Sequence, residues 1–183
     1  MKFYESGDNR KPVIFLFPGT CCQYSSFDHV LDGLHSYFYT VAVSYDGFDS
    51  NEKTEFYSME DECEKIEQEI RTKYGGRIKA AYGCSLGGSF VSLLIQRKRI
   101  HIDHGIIGSS DMDEAGNLVA KIQASMVVPF MYKMIHTGAL PKFMQKKLNK
   151  TDGAKKELYN GFLNMFGIGK GGSPWITKQS IYN

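Results

Sequence analysis

The segment Gly83-Cys84-Ser85-Leu86-Gly87 constrains the fold of this chain more than any other part of the sequence. It has the pattern G-x-S-x-G, in which a serine occupies a sharp turn between a strand and a helix. Residues 78–82 (IKAAY) before it predict a short strand, and residues 90–95 (FVSLLI) after it predict a buried helix. Because glycine lacks a Cβ atom, the two glycines allow the backbone to reverse without a clash. The sequence therefore predicts a strand–turn–helix unit with Ser85 at its tip.

The first 113 residues alternate between strand and helix patterns. The predicted central strands are residues 12–17, 38–45, 78–82 and 104–108, and residues 2–5 predict a short edge strand. Apolar residues at three- and four-residue spacing predict helices within 27–38 and 59–74, and Gly75-Gly76 is a typical helix stop. Such alternation is typical of βαβ units. The predicted fold class is therefore α/β: a three-layer αβα sandwich with a mainly parallel sheet.

The pattern changes after Asp113, where only helices are predicted. Their ranges are residues 117–135, 140–149, 153–166 and 174–182. The charge changes as well: residues 1–113 hold 12 basic and 17 acidic side chains, whereas residues 114–183 hold ten lysines and three acidic side chains. The net charges are −5 and +7, respectively. We therefore expect two parts, a core of residues 1–113 and a helical region of residues 114–183.

Composition excludes several classes of protein. The chain of 183 residues is 42% hydrophobic and 23% charged, as expected for a globular protein. No apolar run approaches the ~20 residues of a membrane span, and no secretory signal is visible at Met1. The four cysteines have neither disulfide nor zinc-site spacing, which predicts reduced thiols and a cytoplasmic location. The lysines lack the arginine and aromatic interleaving of a nucleic-acid surface, so no nucleic-acid partner is expected.

The order of these features resembles the α/β-hydrolase superfamily. Phe15–Thr20 is similar to the oxyanion strand and loop of that family, and Gly83–Gly88 is similar to its nucleophile elbow. Tyr45–Phe48 and Ile106–Ser110 resemble the segments that follow the neighbouring strands, and the tract from Glu114 onward resembles a helical cap. The resemblance extends over nearly the whole chain. It implies an α/β-hydrolase-like fold with a cap, and no cofactor or metal.

The same resemblance implies the roles of several residues. Ser85 is the expected nucleophile, and the backbone N–H groups of Leu86 and Thr20 are the expected donors to an oxyanion. The family order of serine, acid and histidine makes Asp111 a candidate acid, with Asp46 as an alternative.

The histidine of the family pattern is missing from its usual place. His29, His35, His101 and His104 precede the position where the base is expected, and only His136 comes late, within the helical region. The segment that would return from the cap with two further strands is also not recognised, so we expect the core to lack its last two strands through truncation. The sheet would then end in an open apolar edge, which favours pairing with another chain and predicts a homo-oligomer.

Two functions follow. The first is a serine hydrolase that cleaves a carboxylic ester or thioester of a small molecule through an acyl-serine intermediate. The second is a catalytically impaired protein of the same fold that binds a small molecule or a protein. A third idea, cysteine chemistry at Cys84 or at Cys21-Cys22, is weaker because Cys84 precedes the tip of the turn.

Overall fold

The computed structural model describes residues 1–110, 117–165, 168 and 171–182 of the chain. The chain forms two compact units, Met1–Glu114 and Ala115–Asn183. We call them the core unit and the helical unit and describe each by itself. Their boundary falls one residue after the expected one.

The core unit is built on one sheet of five strands in the order β1-β3-β2-β4-β5. The bounds are Lys2–Ser6 for β1, Val13–Phe17 for β2, Tyr39–Ser44 for β3, Arg77–Cys84 for β4 and His101–Gly108 for β5. β1 runs antiparallel to β3, and every other pair is parallel. The sheet confirms the predicted fold class.

Helices cover both faces of this sheet. A 3-10 turn (Tyr24–Phe27) leads into α1 (Asp28–His35), which packs on one face. The other face is covered by α2 (Met59–Tyr74) and α3 (Leu86–Arg97). α2 begins where the Ser58 hydroxyl accepts a hydrogen bond from the Asp61 N–H at 3.1 Å. It ends at Gly75 (φ 62°), as the sequence predicted.

The alternation of side chains along the strands explains the two buried layers. In β2, Ile14 and Leu16 pack with Phe27 beneath α1, whereas Phe15 and Phe17 point to the opposite face. The second layer contains an aromatic cluster whose members are at most 1% exposed: Phe17, Tyr45, Phe48, Phe56 and Phe90. Full burial of one such ring contributes about 1.5–3 kcal/mol. The cluster therefore ties the ends of β2 and β3 to the start of α3.

The helical unit contains α4 (Asn117–Thr137), α5 (Lys142–Asn149), α6 (Ala154–Met165) and α7 (Lys178–Tyr182). The prediction that the last helix starts at residue 174 was wrong. The Thr177 hydroxyl accepts a hydrogen bond from the Ser180 N–H at 3.0 Å, so Thr177 caps the helix and the preceding residues form a turn. Among the described residues, no helix is both long and apolar enough to cross a membrane.

A first prediction concerns Gly87, whose substitution by alanine should destabilise the core unit. A Cβ atom at this position would lie 2.0 Å from the Phe17 carbonyl oxygen, so β2 and α3 would have to separate. We expect Gly87→Ala to lower the free energy of unfolding in urea by about 3 kcal/mol. Gly33→Ala is the matched control in α1, because no atom lies within 4 Å of its Cβ position. The control should be neutral or stabilising, by up to about 1 kcal/mol. Equal changes in unfolding free energy for the two substitutions would contradict the close approach of Gly87 to the Phe17 carbonyl.

A second prediction concerns the buried carboxylate of Asp49, which follows β3. The Tyr4 hydroxyl donates to it at 2.7 Å and the Asn51 N–H donates at 2.8 Å. Burial alone would raise the pKa of Asp49, but these two hydrogen bonds hold that pKa below its ordinary value. The stabilisation is therefore complete above pH ~4 and is lost as the pH falls through the lower, native-state pKa.

Tyr4→Phe should consequently cost about 1.5 kcal/mol of unfolding free energy at pH 7 and progressively less below pH ~4. Urea unfolding at a series of pH values measures this difference. Tyr37→Phe is the control, because Tyr37 is 73% exposed and should show no effect at any pH. A cost for Tyr4→Phe that does not change with pH would exclude the charged hydrogen bond as its cause.

Candidate active site

Ser85 lies between β4 and α3 with its side chain exposed. Its backbone has φ 53° and ψ −122°, a conformation that non-glycine residues rarely adopt. Two glycines make this turn sterically feasible. A Cβ atom at Gly83 would lie 2.0 Å from the Gly87 carbonyl oxygen, and one at Gly87 would lie 2.0 Å from that of Phe17. The strand–turn–helix geometry predicted from the sequence is present.

Backbone hydrogen bonds hold the turn in place. The Ser85 N–H donates to the Gly108 carbonyl at the end of β5 (3.0 Å), and the Ser85 carbonyl accepts from the Gly88 N–H (2.8 Å). The first-turn N–H groups of Leu86 and Gly87 have no acceptor within their own helix. They carry the partial positive charge of the N-terminus of α3. The start of a helix with such N–H groups favours nearby negative charge.

The loop after β2 lies beside the turn. A Cβ atom at Gly19 would lie 3.6 Å from the Ser85 Cβ. The Cys22 N–H donates to the Gly19 carbonyl (3.1 Å), and Cys21 has φ 59°. These features define a tight turn that places the half-buried Thr20 at its second position. Thr20, one of the predicted oxyanion donors, thus belongs to the loop adjacent to Ser85.

Tyr45 supports that loop, and sequence reasoning gave it no role. Its hydroxyl donates to the Pro18 carbonyl at 3.2 Å, and its ring stacks on Phe90 with centroids 4.6 Å apart. Complete burial raises the pKa of Tyr45 well above 10, so the hydroxyl remains a donor. One signal was present in the sequence: an aromatic residue directly follows the buried strand 39–44.

Strained backbone is concentrated at this edge of the sheet. Among the described residues, the non-glycine residues with positive φ are Cys21, Ser85, Lys98 and Ser109. Lys98 ends α3, whereas the other three follow β2, β4 and β5 at their carboxyl ends. Such strain is typically maintained at functional sites. The carboxyl edge around Ser85 is therefore the candidate site of this chain.

The loop after β5 also reaches the turn. A Cβ atom at Gly88 would lie 2.6 Å from the Ser110 Cβ, and the Ser89 and Ser110 hydroxyl oxygens are 3.1 Å apart. Asp111, the predicted acid, directly follows Ser110 but lies outside the described residues.

The histidines of the core unit do not approach Ser85. His35 Nε2 lies 2.9 Å from the Ser6 hydroxyl and 3.1 Å from that of Thr40, at the amino end of β3. His101 starts β5 and lies 3.2 Å from Asp103. His29 is exposed on α1, and His104 is exposed within β5. In the described part of the chain, no histidine is hydrogen-bonded to Ser85.

His136 belongs to the helical unit, near the end of α4. Its ring packs on Tyr132 with centroids 4.9 Å apart, and its Nδ1 has no hydrogen-bond partner among the described residues. No carboxylate of the described residues therefore orients this imidazole through Nδ1.

Asp46, the alternative acid, is already paired. Lys65 and the Met1 ammonium both donate to its carboxylate. Burial would raise the pKa of Asp46, but these two cations lower it. Its backbone N–H donates to the buried carboxylate of Glu62 at 3.0 Å. Asp46 is thus tied to α2 rather than to a histidine.

The cysteines in the loop after β2 are not activated for chemistry. Burial raises the pKa of Cys21 to about 12 and that of Cys22 to about 11, so both remain thiols at neutral pH. Among the described residues, no group of three or more histidine, cysteine or acidic side chains is arranged to hold a metal ion.

Comparison with known proteins gives matches at the level of structure. No protein-family model and no curated protein matches the sequence. The chain is similar to an α/β-hydrolase family protein from Desulfitobacterium hafniense (TM-score 0.74, 15% identity), with 99% of this chain and 69% of that chain covered. A carboxylesterase from Nitrososphaera gargenis has a TM-score of 0.65 and 18% identity, with coverages of 99% and 64%. A 1H-3-hydroxy-4-oxoquinoline 2,4-dioxygenase also matches (TM-score 0.59, 15% identity), with coverages of 98% and 64%.

These matches agree with the elements described above. They extend over almost the whole of this chain, which spans 64–69% of the length of those proteins. At identities of 15–18%, the similarity supports a common fold and does not extend to the reaction. The sheet order, the turn at Ser85 and these similarities together establish that the chain has the α/β-hydrolase fold.

Proposed function

We propose that this chain carries the nucleophile and oxyanion donors of a serine hydrolase that cleaves a carboxylic ester or thioester of a small molecule. The observation that carries the proposal is the positive φ of Ser85 at an exposed tip beside the Gly19–Thr20 loop. Strain of this kind is costly and is retained where it positions a reactive group. The similarity to a carboxylesterase supports the same substrate class.

In the proposed reaction, the Ser85 hydroxyl oxygen attacks the carbonyl carbon and its proton passes to a base. The negative charge on the carbonyl oxygen is stabilised by the N–H groups of Leu86 and Thr20. The alcohol or thiol then leaves with a proton, and an acyl ester of Ser85 remains. Water attacks that ester, which releases the carboxylic acid and restores the serine.

The reaction also requires an acid and a base. Asp111 is our candidate acid, since it follows Ser110, whose hydroxyl lies 3.1 Å from that of Ser89 at the start of α3. A histidine must still orient toward Ser85 for efficient turnover.

We propose that the helical unit serves as a cap that binds the apolar part of the substrate. Six of the eight methionines fall between Met112 and Met165 and would supply an adaptable apolar lining.

A third prediction tests the nucleophile directly. A fluorophosphonate probe should add to one residue of the folded protein, Ser85, because the oxyanion donors stabilise the developing charge on the phosphoryl oxygen. Intact-mass measurement with peptide mapping checks this. Ser85→Ala should abolish the adduct, whereas the control Ser89→Ala, one helical turn further on, should retain it. The nucleophile assignment fails if Ser85 remains unlabelled while a reference serine hydrolase is labelled.

A second candidate function is a binding protein of the same fold without efficient catalysis. The observation that favours it is the absence of a histidine hydrogen-bonded to Ser85 in the described residues. Oxyanion donors alone give only a small part of the rate of a complete triad. If ester turnover by Ser85→Ala equals that of the unchanged protein, this second function is favoured.

We further propose that the core unit pairs with a second copy through β5. This strand is last in the sheet order, and within the described residues no strand pairs with its outer edge. Ile106 and Ile107 are 48% and 41% exposed there. An unpaired edge strand that exposes apolar side chains is a template for pairing with another chain.

A fourth prediction follows for the mass in solution. Light scattering should report a dimer, and Ile106→Lys should weaken it at least ~10-fold, because a charge on an edge strand opposes edge pairing. Tyr37→Lys, on a surface remote from β5 in sequence, is the control and should leave the dimer intact. A stable monomer at high concentration would contradict the pairing.

A further inference from the structure

The α5–α6 segment of the helical unit, residues 142–165, is strongly basic at its start. Residues 142–156 contain six lysines and a single acidic residue, Asp152. Five of the lysines are exposed, namely Lys142, Lys146, Lys147, Lys150 and Lys155. The structure places no carboxylate within ion-pair distance of any of these lysines in the part of the chain that it describes. In the core unit, by contrast, lysines such as Lys65 and Lys73 are paired with carboxylates. Within the described residues, no ion pair therefore neutralises the charge of these five lysines.

Large apolar side chains lie exposed among these lysines. Phe143 is 67% exposed and Leu158 is 75% exposed. Phe143 precedes Lys146 and Lys147 by three and four residues, and Leu158 follows Lys155 by three, so each shares a helix face with lysine. The ring of Phe143 also stacks on the exposed ring of Phe130, with centroids 6.3 Å apart.

The exposure of Phe143 is not required by the packing of α5. Met144 and Leu148, four residues apart, form the half-buried face of this helix. Phe143 therefore adds an apolar side chain to the side of α5 that already carries the lysines. Exposed apolar groups rimmed by charge mark interaction surfaces.

We propose that the α5–α6 segment docks on the surface of a bilayer that contains anionic phospholipid. Lysine ammonium groups attract anionic headgroups, while Phe143 and Leu158 enter the boundary between headgroups and acyl chains. A polyanion without an apolar part would satisfy the lysines but leave these two side chains in water. The helices, of 8 and 12 residues, are too short to span the hydrocarbon core, so the docking is peripheral.

This inference goes beyond the proposed hydrolase activity and does not depend on it. It uses none of the residues around Ser85, so docking can be measured on protein with or without turnover. Ser85→Ala should dock like the unchanged chain.

The fifth prediction is tested by co-sedimentation of the full chain with lipid vesicles. We expect binding to vesicles of 70% phosphatidylcholine and 30% phosphatidylglycerol in low salt, and little binding to phosphatidylcholine alone. Lys146→Gln with Lys147→Gln should weaken the binding, by about 5-fold for each lysine removed. Phe143→Ser with Leu158→Ser should weaken it at least ~10-fold, because the apolar contribution is lost. High salt should release the protein.

Matched controls come from the core unit. Tyr37→Ser removes an aromatic side chain that is 73% exposed, and Lys53→Gln removes an exposed lysine. Both should bind vesicles like the unchanged protein. Circular dichroism and thermal unfolding verify that every variant is folded.

Several results would overturn the proposal. One is failure of the unchanged protein to bind anionic vesicles, and another is equal binding to vesicles of both compositions. Equal losses in the control variants would also overturn it. The proposal would also fail if the protein bound duplex DNA as strongly as anionic vesicles and Phe143→Ser left the DNA binding unchanged. The segment would then be a general polyanion site. Finally, a dimer in solution that Phe143→Ser dissociates would assign the surface to a second copy instead.

Discussion

The close contact between α3 and the end of β2 is the constraint on which the candidate site depends. Gly87 packs so near to the Phe17 carbonyl that no side chain fits between them. This contact brings the first turn of α3 onto the carboxyl end of the sheet, and the chain has only Ser85 with which to make the connection. The positive φ of Ser85 is the consequence. Its exposed side chain and the adjacent N–H groups that lack an acceptor within α3 follow from the same geometry.

The aromatic cluster gives that geometry its rigidity. Tyr45 bonds to the Pro18 carbonyl and stacks on Phe90, so one buried side chain contacts both the loop after β2 and the helix after Ser85. Its hydroxyl is fully buried, and its raised pKa keeps the proton in place. The two elements that carry the proposed oxyanion donors are therefore held by a common support. In catalysis by preorganised dipoles, such support determines how well the donors meet the developing charge.

Much of this arrangement could be predicted from local sequence. The spacing of Gly83, Ser85 and Gly87 predicted the turn, and the apolar run of β2 predicted a buried central strand. The start of β5 was placed three residues late. β5 begins at the polar His101, which pairs with Arg77 of β4, and the carboxylate of Asp103 lies 2.7 Å from that same arginine. An edge strand need not be apolar on both faces, so its hydrophobic pattern understates its length.

The role of Tyr45 could not be predicted, because it depends on a contact between residues 27 positions apart. The hydrophobic periodicity of a sequence predicts which face of a strand or helix a residue occupies, but not which carbonyl accepts a hydrogen bond from its hydroxyl. The assignment of a base failed for a related reason. A histidine acts through its position in space, and the described histidines of the core unit lie at the other end of the sheet or on exposed surfaces.

A crystal structure of this chain at high resolution would show directly whether Ser85 occupies the strained turn between β4 and α3. We expect Ser85 to have a positive φ, its N–H to bond to the Gly108 carbonyl, and its side chain to be exposed at the carboxyl edge of the sheet. A Ser85 with helical φ inside α3, or with its side chain turned into the core, would contradict it.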